Sequence, residues 1–144
     1  MKRALVAIIS GVIAFSAWAQ STPVGLWRSF DDKTGEAKGE VRITDTAGVL
    51  SGKLEKRLLK TAKPGDVCTE CSDERKGQPL IGMEIIRGAK KADGSDVWEG
   101  GKILDPENGR SYTLKMTPIE DGKKLEVRGS FGPFGRTQTW VRIN

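Results

Sequence analysis

Apolar and polar residues alternate along several segments of this chain. Alternation with a period of two places one set of side chains on each face of a β-strand. The clearest apolar series are Tyr112, Leu114 and Met116, then Leu125, Val127, Gly129 and Phe131. Asp-Gly and Asn-Gly turns separate such segments at short intervals, which is typical of antiparallel strands joined as a meander. The pattern predicts about eight strands, over residues 24–30, 39–45, 49–59, 80–87, 96–104, 110–117, 123–131 and 137–143.

Short connections between many strands are compatible with a closed barrel or with two stacked sheets. Closure removes exposed strand edges, so we expect an all-β, antiparallel up-and-down barrel of about eight strands. One segment has a second interpretation, because Leu50, Leu54 and Leu58 also recur with the spacing of a helix. The glycine at position 52 and the turn before it favour a strand.

The connection over residues 60–79 is long and has no periodicity. It holds both cysteines of the chain, Cys68 and Cys71. Loops of this length in compact domains are usually functional or disordered. We expect this one to be tied down by its cysteines.

The N-terminal segment resembles an export signal. Lys2 and Arg3 precede an apolar run that ends in Ala17-Trp18-Ala19, and small residues at these positions suit signal peptidase. The run is shorter than the roughly 20 residues that cross a bilayer. We therefore expect residues 1–19 to be a cleaved signal peptide and residues 20–144 to form a single domain. This domain would lie in the periplasm or be secreted, without a transmembrane span.

Composition argues against several classes of function. Without Lys2 and Arg3, 22 basic and 19 acidic residues remain, so the charge is too balanced to favour nucleic acid as a partner. The chain has no histidine, which excludes Ser-His-Asp and Cys-His catalysis and histidine-ligated metals. We expect no enzyme activity and no cofactor. A carboxylate hydrolase stays a distant alternative, if Glu99, Asp105 and Glu107 meet at one end of the barrel.

The two cysteines have a structural and a redox interpretation. An exported protein is expected to join Cys68 and Cys71 as a disulfide, which for so short a loop contributes only about 2 kcal/mol. A redox-active pair would need a helix N-terminus to lower the thiol pKa, and no such context is visible. Zinc needs four ligands, and haem attachment needs a histidine where Ser72 stands.

Two resemblances rest on particular residues. Gly25-Leu26-Trp27 resembles the Gly-x-Trp element of lipocalin-type barrels. That resemblance implies that Trp27 closes one barrel end and that an arginine of the last strand, Arg142, packs over it. The barrel is accordingly expected to be lipocalin-like.

The second resemblance covers nearly the whole mature chain and is to domain of unknown function 2147, a family of small secreted bacterial proteins. It is carried by Gly25-Leu26-Trp27-Arg28, the Cys68/Cys71 loop, Gly100 to Pro106 with Gly109 and Tyr112, and Gly135 to Arg142. It implies a periplasmic β-domain and carries over no activity or substrate. Gly100-Gly101 within a strand also indicates a bulge or a close approach, and Asp105-Pro106 opens a turn that Gly109 ends.

The tryptophans and the last strand supply candidate ligand contacts. Trp27, Trp98 and Trp140 belong to three predicted strands and either fill the core or line an apolar pocket. If Gln138, Trp140 and Arg142 point inward, they form a polar, cationic end beside an aromatic wall, which suits an amphipathic anion such as a fatty acid. Alternatively, Arg142 stacks on a tryptophan and seals the barrel floor.

A basic stretch, by contrast, has no assigned site. It runs through Lys53, Lys56, Arg57, Lys60 and Lys63. It is either a solvated face or a contact for anionic lipid head groups or polysaccharide.

Two functions remain compatible with these residues. The first is a non-enzymatic periplasmic module that binds a small apolar or amphipathic ligand. The second is an envelope interaction protein with a filled core, acting through its surface or the Cys68–Cys71 loop. The candidate ligand contacts are Trp27, Trp98, Tyr112, Gln138, Trp140 and Arg142.

Overall fold

The chain folds as one closed barrel. The computed structural model describes Gly11 and residues 21–144, so the expected signal peptide lies outside the described residues except for Gly11. Each strand pairs antiparallel with the next, and the last pairs with the first. This confirms the expected up-and-down barrel. The strands are β1 Gly25–Phe30, β2 Ala37–Thr46, β3 Val49–Arg57, β4 Glu84–Lys91, β5 Trp98–Asp105, β6 Arg110–Ile119, β7 Lys124–Phe131 and β8 Phe134–Arg142.

The expected bounds hold to within two residues except at the start of β8 and at both ends of β4, which ends at Lys91 rather than near residue 87. Strand β4 begins at Glu84 rather than near residue 80, because Leu80 is held in the preceding loop by a hydrogen bond from its N–H to the carbonyl of Asp66. Strand β8 begins at Phe134 rather than near 137, because Gly132 and Pro133 turn the chain in only two residues. The segment with helical spacing is a strand, as expected, and Leu58 lies beyond its end.

Alternation builds the core as the sequence predicts. Leu114 and Met116 of β6 are fully buried, and so is Leu125 of β7. The residues between them along the strands are mostly polar and exposed. Burying each large apolar side chain stabilises the fold by about 1.5–3 kcal/mol, so this interior layer holds the barrel together.

The glycine pair in β5 forms the expected bulge. Pairing between β5 and β6 slips between Glu99 and Gly101, and Gly100 adopts a left-handed φ of +80°. A Cβ on Gly101 would collide with the carbonyl oxygen of Arg87. Strands β4 and β5 therefore approach more closely than a side chain at this position would allow.

Trp27 and Arg142 seal one end of the barrel, which we call the closed end. The guanidinium carbon of Arg142 lies 4.2 Å from the centre of the Trp27 ring, a cation–π contact. Arg142 also donates hydrogen bonds to the carbonyls of Thr22, Val24 and Gly122, at 2.6–2.8 Å. This is the arrangement that the Gly-x-Trp resemblance implies. Burial lowers the pKa of Arg142.

The opposite end, the open end, carries the long connection between β3 and β4. Within it Cys68 and Cys71 form the expected disulfide, and both residues are buried. Gly109, in the β5–β6 turn, packs so closely on the Glu70 backbone that a Cβ there would collide with it. The disulfide segment is thus seated on the rim of the barrel, which favours the structural interpretation of the cysteines.

Ion pairs attach the same connection to β4. Arg75, nearly buried, holds the carboxylate of Asp73 and donates to the backbone carbonyl of Glu84 at 2.9 Å. Arg87 of β4 reaches back to Glu74 at 2.6 Å. These contacts explain how a segment without strand or helix keeps one conformation.

Acid should loosen this attachment. Hydrogen bonds from Arg75 lower the pKa of Asp73 from 3.8 to about 2. Because the folded-state pKa lies below the unfolded one, this contribution to stability is complete above about pH 4 and is lost as the pH falls toward 2. The effect is modest, since the Asp73 side chain is 37% exposed and solvent screens the pair.

The measurement is urea unfolding across this pH range. Asp73→Asn should reduce the acid-induced loss of unfolding free energy. The same change at Asp93, exposed in the β4–β5 turn, is the matched control and should leave the pH dependence as in the parent. Equal pH profiles for the parent and Asp73→Asn would contradict the assignment.

Candidate functional site

A cavity of about 340 Å³ opens at the open end of the barrel. Its lining includes small residues at inward positions near that end. Ser29 and Gly39 face each other across β1 and β2, and Gly129 of β7 also borders the cavity. Nearer the closed end, the same strands present Trp27 and Leu125, which fill the interior. The barrel is therefore packed at its floor and hollow at its mouth.

The wall of the cavity is largely apolar. It is formed by inward side chains of β2, β3, β5, β7 and β8, among them Val41, Leu54, Ile103, Val127 and Trp140. Pockets for small molecules are typically about 300–1,000 Å³ and mostly apolar, with a few placed polar groups. This cavity is at the lower limit of that range, so an occupant would be small.

Arg57 is the most enclosed charge at the mouth. Its side chain is only 12% exposed, and it donates to Asp66 at 2.6 Å and to Glu107 at 3.2 Å. Burial lowers the pKa of Arg57, but the bonds to the two carboxylates outweigh burial and raise it above its ordinary value. Lys38 lies 4.0 Å from Asp105 on the same rim. The mouth thus carries charges of both signs.

A chain of polar contacts fixes the aromatic wall. Trp140 donates from Nε1 to the Gln138 side-chain oxygen at 3.1 Å. Gln138 donates in turn to Asp32 at 3.1 Å, and Arg136 pairs with the same carboxylate at 2.9 Å. Asp32 thereby links the β1–β2 loop to β8. Its place in a turn-forming run gave no signal of this role in the sequence.

The structure brings three of the six predicted contacts together. Tyr112, Gln138 and Trp140 line the cavity. Trp27 and Arg142 lie at the closed end instead. Strand β8 runs from the open end to the closed end, so Gln138 and Arg142 do not share one polar end. Of the two alternatives that the sequence left open for Arg142, the structure has the second, in which Arg142 stacks on a tryptophan and seals the barrel floor. The cations at the mouth are Lys38, Arg57 and Arg136.

Trp98 does not line the cavity either. It is buried in the first position of β5, near the closed end, with the Lys91 ammonium 5.9 Å from its ring. Its role is packing. The small residues Ser29, Gly39 and Gly129 also line the cavity, and residues of these types carry no signature by which the sequence could reveal this.

The three acids of the hydrolase alternative do not converge. Asp105 and Glu107 border the cavity, whereas Glu99 lies toward the closed end and pairs with Lys115 at 3.7 Å. Within residues 21–144, no group of three histidine, cysteine or acidic side chains is placed to hold a metal ion. In that same part of the chain, no helix is long and apolar enough to span a membrane.

Two members of the basic stretch pair with acidic residues, while its lysines are exposed. Its member Arg57 turns into the cavity rim, and Lys56 lies 3.7 Å from the buried carboxylate of Glu40. Arg28 donates to the same carboxylate at 2.9 Å. Hydrogen bonding from Arg28 lowers the pKa of Glu40.

Comparison with solved structures shows a similar barrel. Protein HP1028 from the human pathogen Helicobacter pylori, described as belonging to the lipocalin family, superposes with a TM-score of 0.72 at 16% sequence identity. The match covers 86% of this chain and 84% of that protein. At this identity the similarity shows the lipocalin-like fold and no more. No curated protein matches the chain.

The sequence family is shown directly. A family model described as an uncharacterized protein conserved in bacteria matches residues 25–142, which is the whole barrel from β1 to the end of β8. The chain therefore belongs to the bacterial family DUF2147.

Proposed function

We propose that this protein is a non-enzymatic module that binds one small apolar or amphipathic ligand in the mouth of its barrel, after export to the periplasm. The observation that carries the proposal is the cavity of about 340 Å³ with an apolar wall and a charged rim. The lipocalin-like fold supports it, because barrels of this kind enclose ligands at their mouths. A filled core, which the envelope interaction alternative requires, would leave no such space.

The lining suggests how a ligand would lie. An apolar chain or ring would contact Leu54, Val127 and Trp140 in the interior. A polar or anionic group would remain at the rim, within reach of Lys38 and Arg57. Because carboxylates are also present there, the rim favours a ligand that carries both donors and acceptors over a bare hydrocarbon.

Filling the cavity should abolish binding. Val127 is buried and its side chain borders the cavity, so Val127→Phe would place a ring where the ligand lies. We expect at least about a tenfold loss of affinity, corresponding to about 1.4 kcal/mol. The probe is the amphipathic fluorophore 1-anilinonaphthalene-8-sulfonate, titrated directly and then displaced with dodecanoate.

Val141→Phe is the matched control. Val141 pairs with Arg28 on the outer face of the barrel, so the same added volume lies outside the cavity and should leave affinity unchanged. Both variants must retain the thermal transition of the parent within a few degrees. If neither probe binds the parent, or if Val127→Phe binds as well as the parent, the proposed function is wrong.

A further inference from the structure

Two phenylalanines project from the open end of the barrel. Phe131 and Phe134 are 72% and 76% exposed, although phenylalanine is usually buried. They pair across the two-residue turn of Gly132 and Pro133. A Cβ on Gly132 would meet no atom within 4 Å, so the turn itself extends into open space. We call residues 131–134 the phenylalanine tip.

The alternation along β7 predicts that Phe131 faces the interior, yet it is exposed. The reason is geometric. The β7–β8 hairpin extends to its turn at the rim, where the inward face of the sheet borders the mouth of the cavity rather than a packed core. The two rings therefore leave an apolar surface at the entrance that the described residues do not cover.

The hairpin that carries the tip has only positive charges of its own, although Arg136 pairs with Asp32 of the β1–β2 loop. Between Val127 and Gln138 the only charged residues are Arg128 and Arg136. Arg128 lies over the backbone of Gly135 and donates to Thr137 at 3.3 Å. The Arg136 side chain is 64% exposed even though it contacts Asp32. Two aromatic rings at the end of a hairpin thus have two cations at their base.

This combination complements an anionic lipid surface. Aromatic rings are favoured at the membrane–water interface, and arginine near anionic head groups adds attraction. A second copy of the chain fits less well, since pairing two identical tips about a two-fold axis would bring the same arginines together. From these contacts we infer that the phenylalanine tip inserts into the head-group region of an anionic bilayer.

Insertion would place the cavity mouth against the bilayer, because Phe131 and Phe134 border that mouth. A ligand would then pass between membrane and barrel without crossing water. This consequence rests on the proposed function, whereas insertion itself does not. The two are therefore tested by separate measurements.

The test is co-sedimentation of the exported form with vesicles of phosphatidylcholine, with and without phosphatidylglycerol. We expect binding to the anionic vesicles that weakens as salt is added. The double variant Phe131→Ala/Phe134→Ala should bind these vesicles about tenfold or more less tightly. Its thermal transition should be close to that of the parent, since both rings are exposed.

Ile143→Ala is the matched control. Ile143 is also an exposed apolar residue, 42% exposed, but it follows β8 at the closed end. Its removal should leave vesicle binding unchanged. Equal loss in both variants would show general hydrophobic adsorption and overturn the inference, as would a parent that does not bind anionic vesicles.

Two further outcomes separate this inference from other possibilities. The parent could fail to bind vesicles but self-associate in sedimentation equilibrium, while the double variant stays monomeric. The tip would then be a dimer surface, and the inference would be wrong. If anionic vesicles bind through the tip while neither soluble probe enters the barrel, insertion stands and the proposed ligand-binding function falls.

Discussion

Trp27→Ala is expected to destabilise the barrel by about 4 kcal/mol. The Trp27 side chain is fully buried, and its removal would leave a cavity beneath Arg142. Its indole N–H also donates to the carbonyl of Pro23 at 2.7 Å. With the ring gone, the guanidinium would lose its aromatic contact while remaining largely enclosed by backbone carbonyls. The closed end would then lose both the side chain that packs its interior and the cation–π contact that covers it.

Urea unfolding followed by circular dichroism measures this loss. Trp27→Phe is the graded control, because it keeps an aromatic face under Arg142 and removes only the N–H and part of the volume; we expect about 1–2 kcal/mol. Since Trp27 does not line the cavity, folded Trp27→Phe should bind the soluble probe with the affinity of the parent. A loss below about 1 kcal/mol for Trp27→Ala would contradict its role as the barrel floor.

Gly109→Ala is expected to cost about 3 kcal/mol or more, from two separate effects. Gly109 has a φ of +71°, which is strained for alanine. In addition, the new Cβ would collide with the carbonyl of Glu70, a backbone group that cannot turn aside. The disulfide segment would have to move away from the β5–β6 turn.

Gly132→Ala separates these two effects. Gly132 also has a positive φ, +56°, but nothing lies within 4 Å of its Cβ position. The substitution Gly132→Ala should therefore lower the free energy of unfolding by only about 1 kcal/mol. Hydrogen exchange across residues 58–83 should rise in Gly109→Ala and not in Gly132→Ala. Equal destabilisation by the two substitutions would show that the seating of the disulfide segment contributes nothing.

The sequence predicts the architecture well because facing in a strand depends on local alternation. Leu114 and Met116 could be assigned to the interior from their spacing alone, and the bulge at Gly100-Gly101 from its two glycines. The Gly-x-Trp resemblance correctly places Arg142 over Trp27. The expected start of β4 is wrong because Leu80 and Met83 are buried although they lie in the loop before the strand. An apolar residue can be buried in a loop as well as in a strand, so its presence does not show where a strand begins.

The candidate site was only half predictable. Tyr112, Gln138 and Trp140 follow from inward alternation, but alternation does not give depth along the barrel, so Arg142 was grouped with residues at the other end. The cavity is also lined by the small residues Ser29, Gly39 and Gly129, whose place in the site no sequence pattern indicates. Contacts between distant segments, such as Gly109 with Glu70 or Gln138 with Asp32, leave no local pattern to read.

Whether the barrel holds a ligand is decided by native mass spectrometry of the protein recovered gently from the producing bacterium. Ligand binding in the barrel predicts a one-to-one adduct of a small molecule on the parent, absent from Val127→Phe and retained by Val141→Phe. The same spectrum reads cleavage after Ala19 and the Cys68–Cys71 disulfide. A bare polypeptide mass for the parent, or an adduct that Val127→Phe also carries, would contradict ligand binding in the barrel.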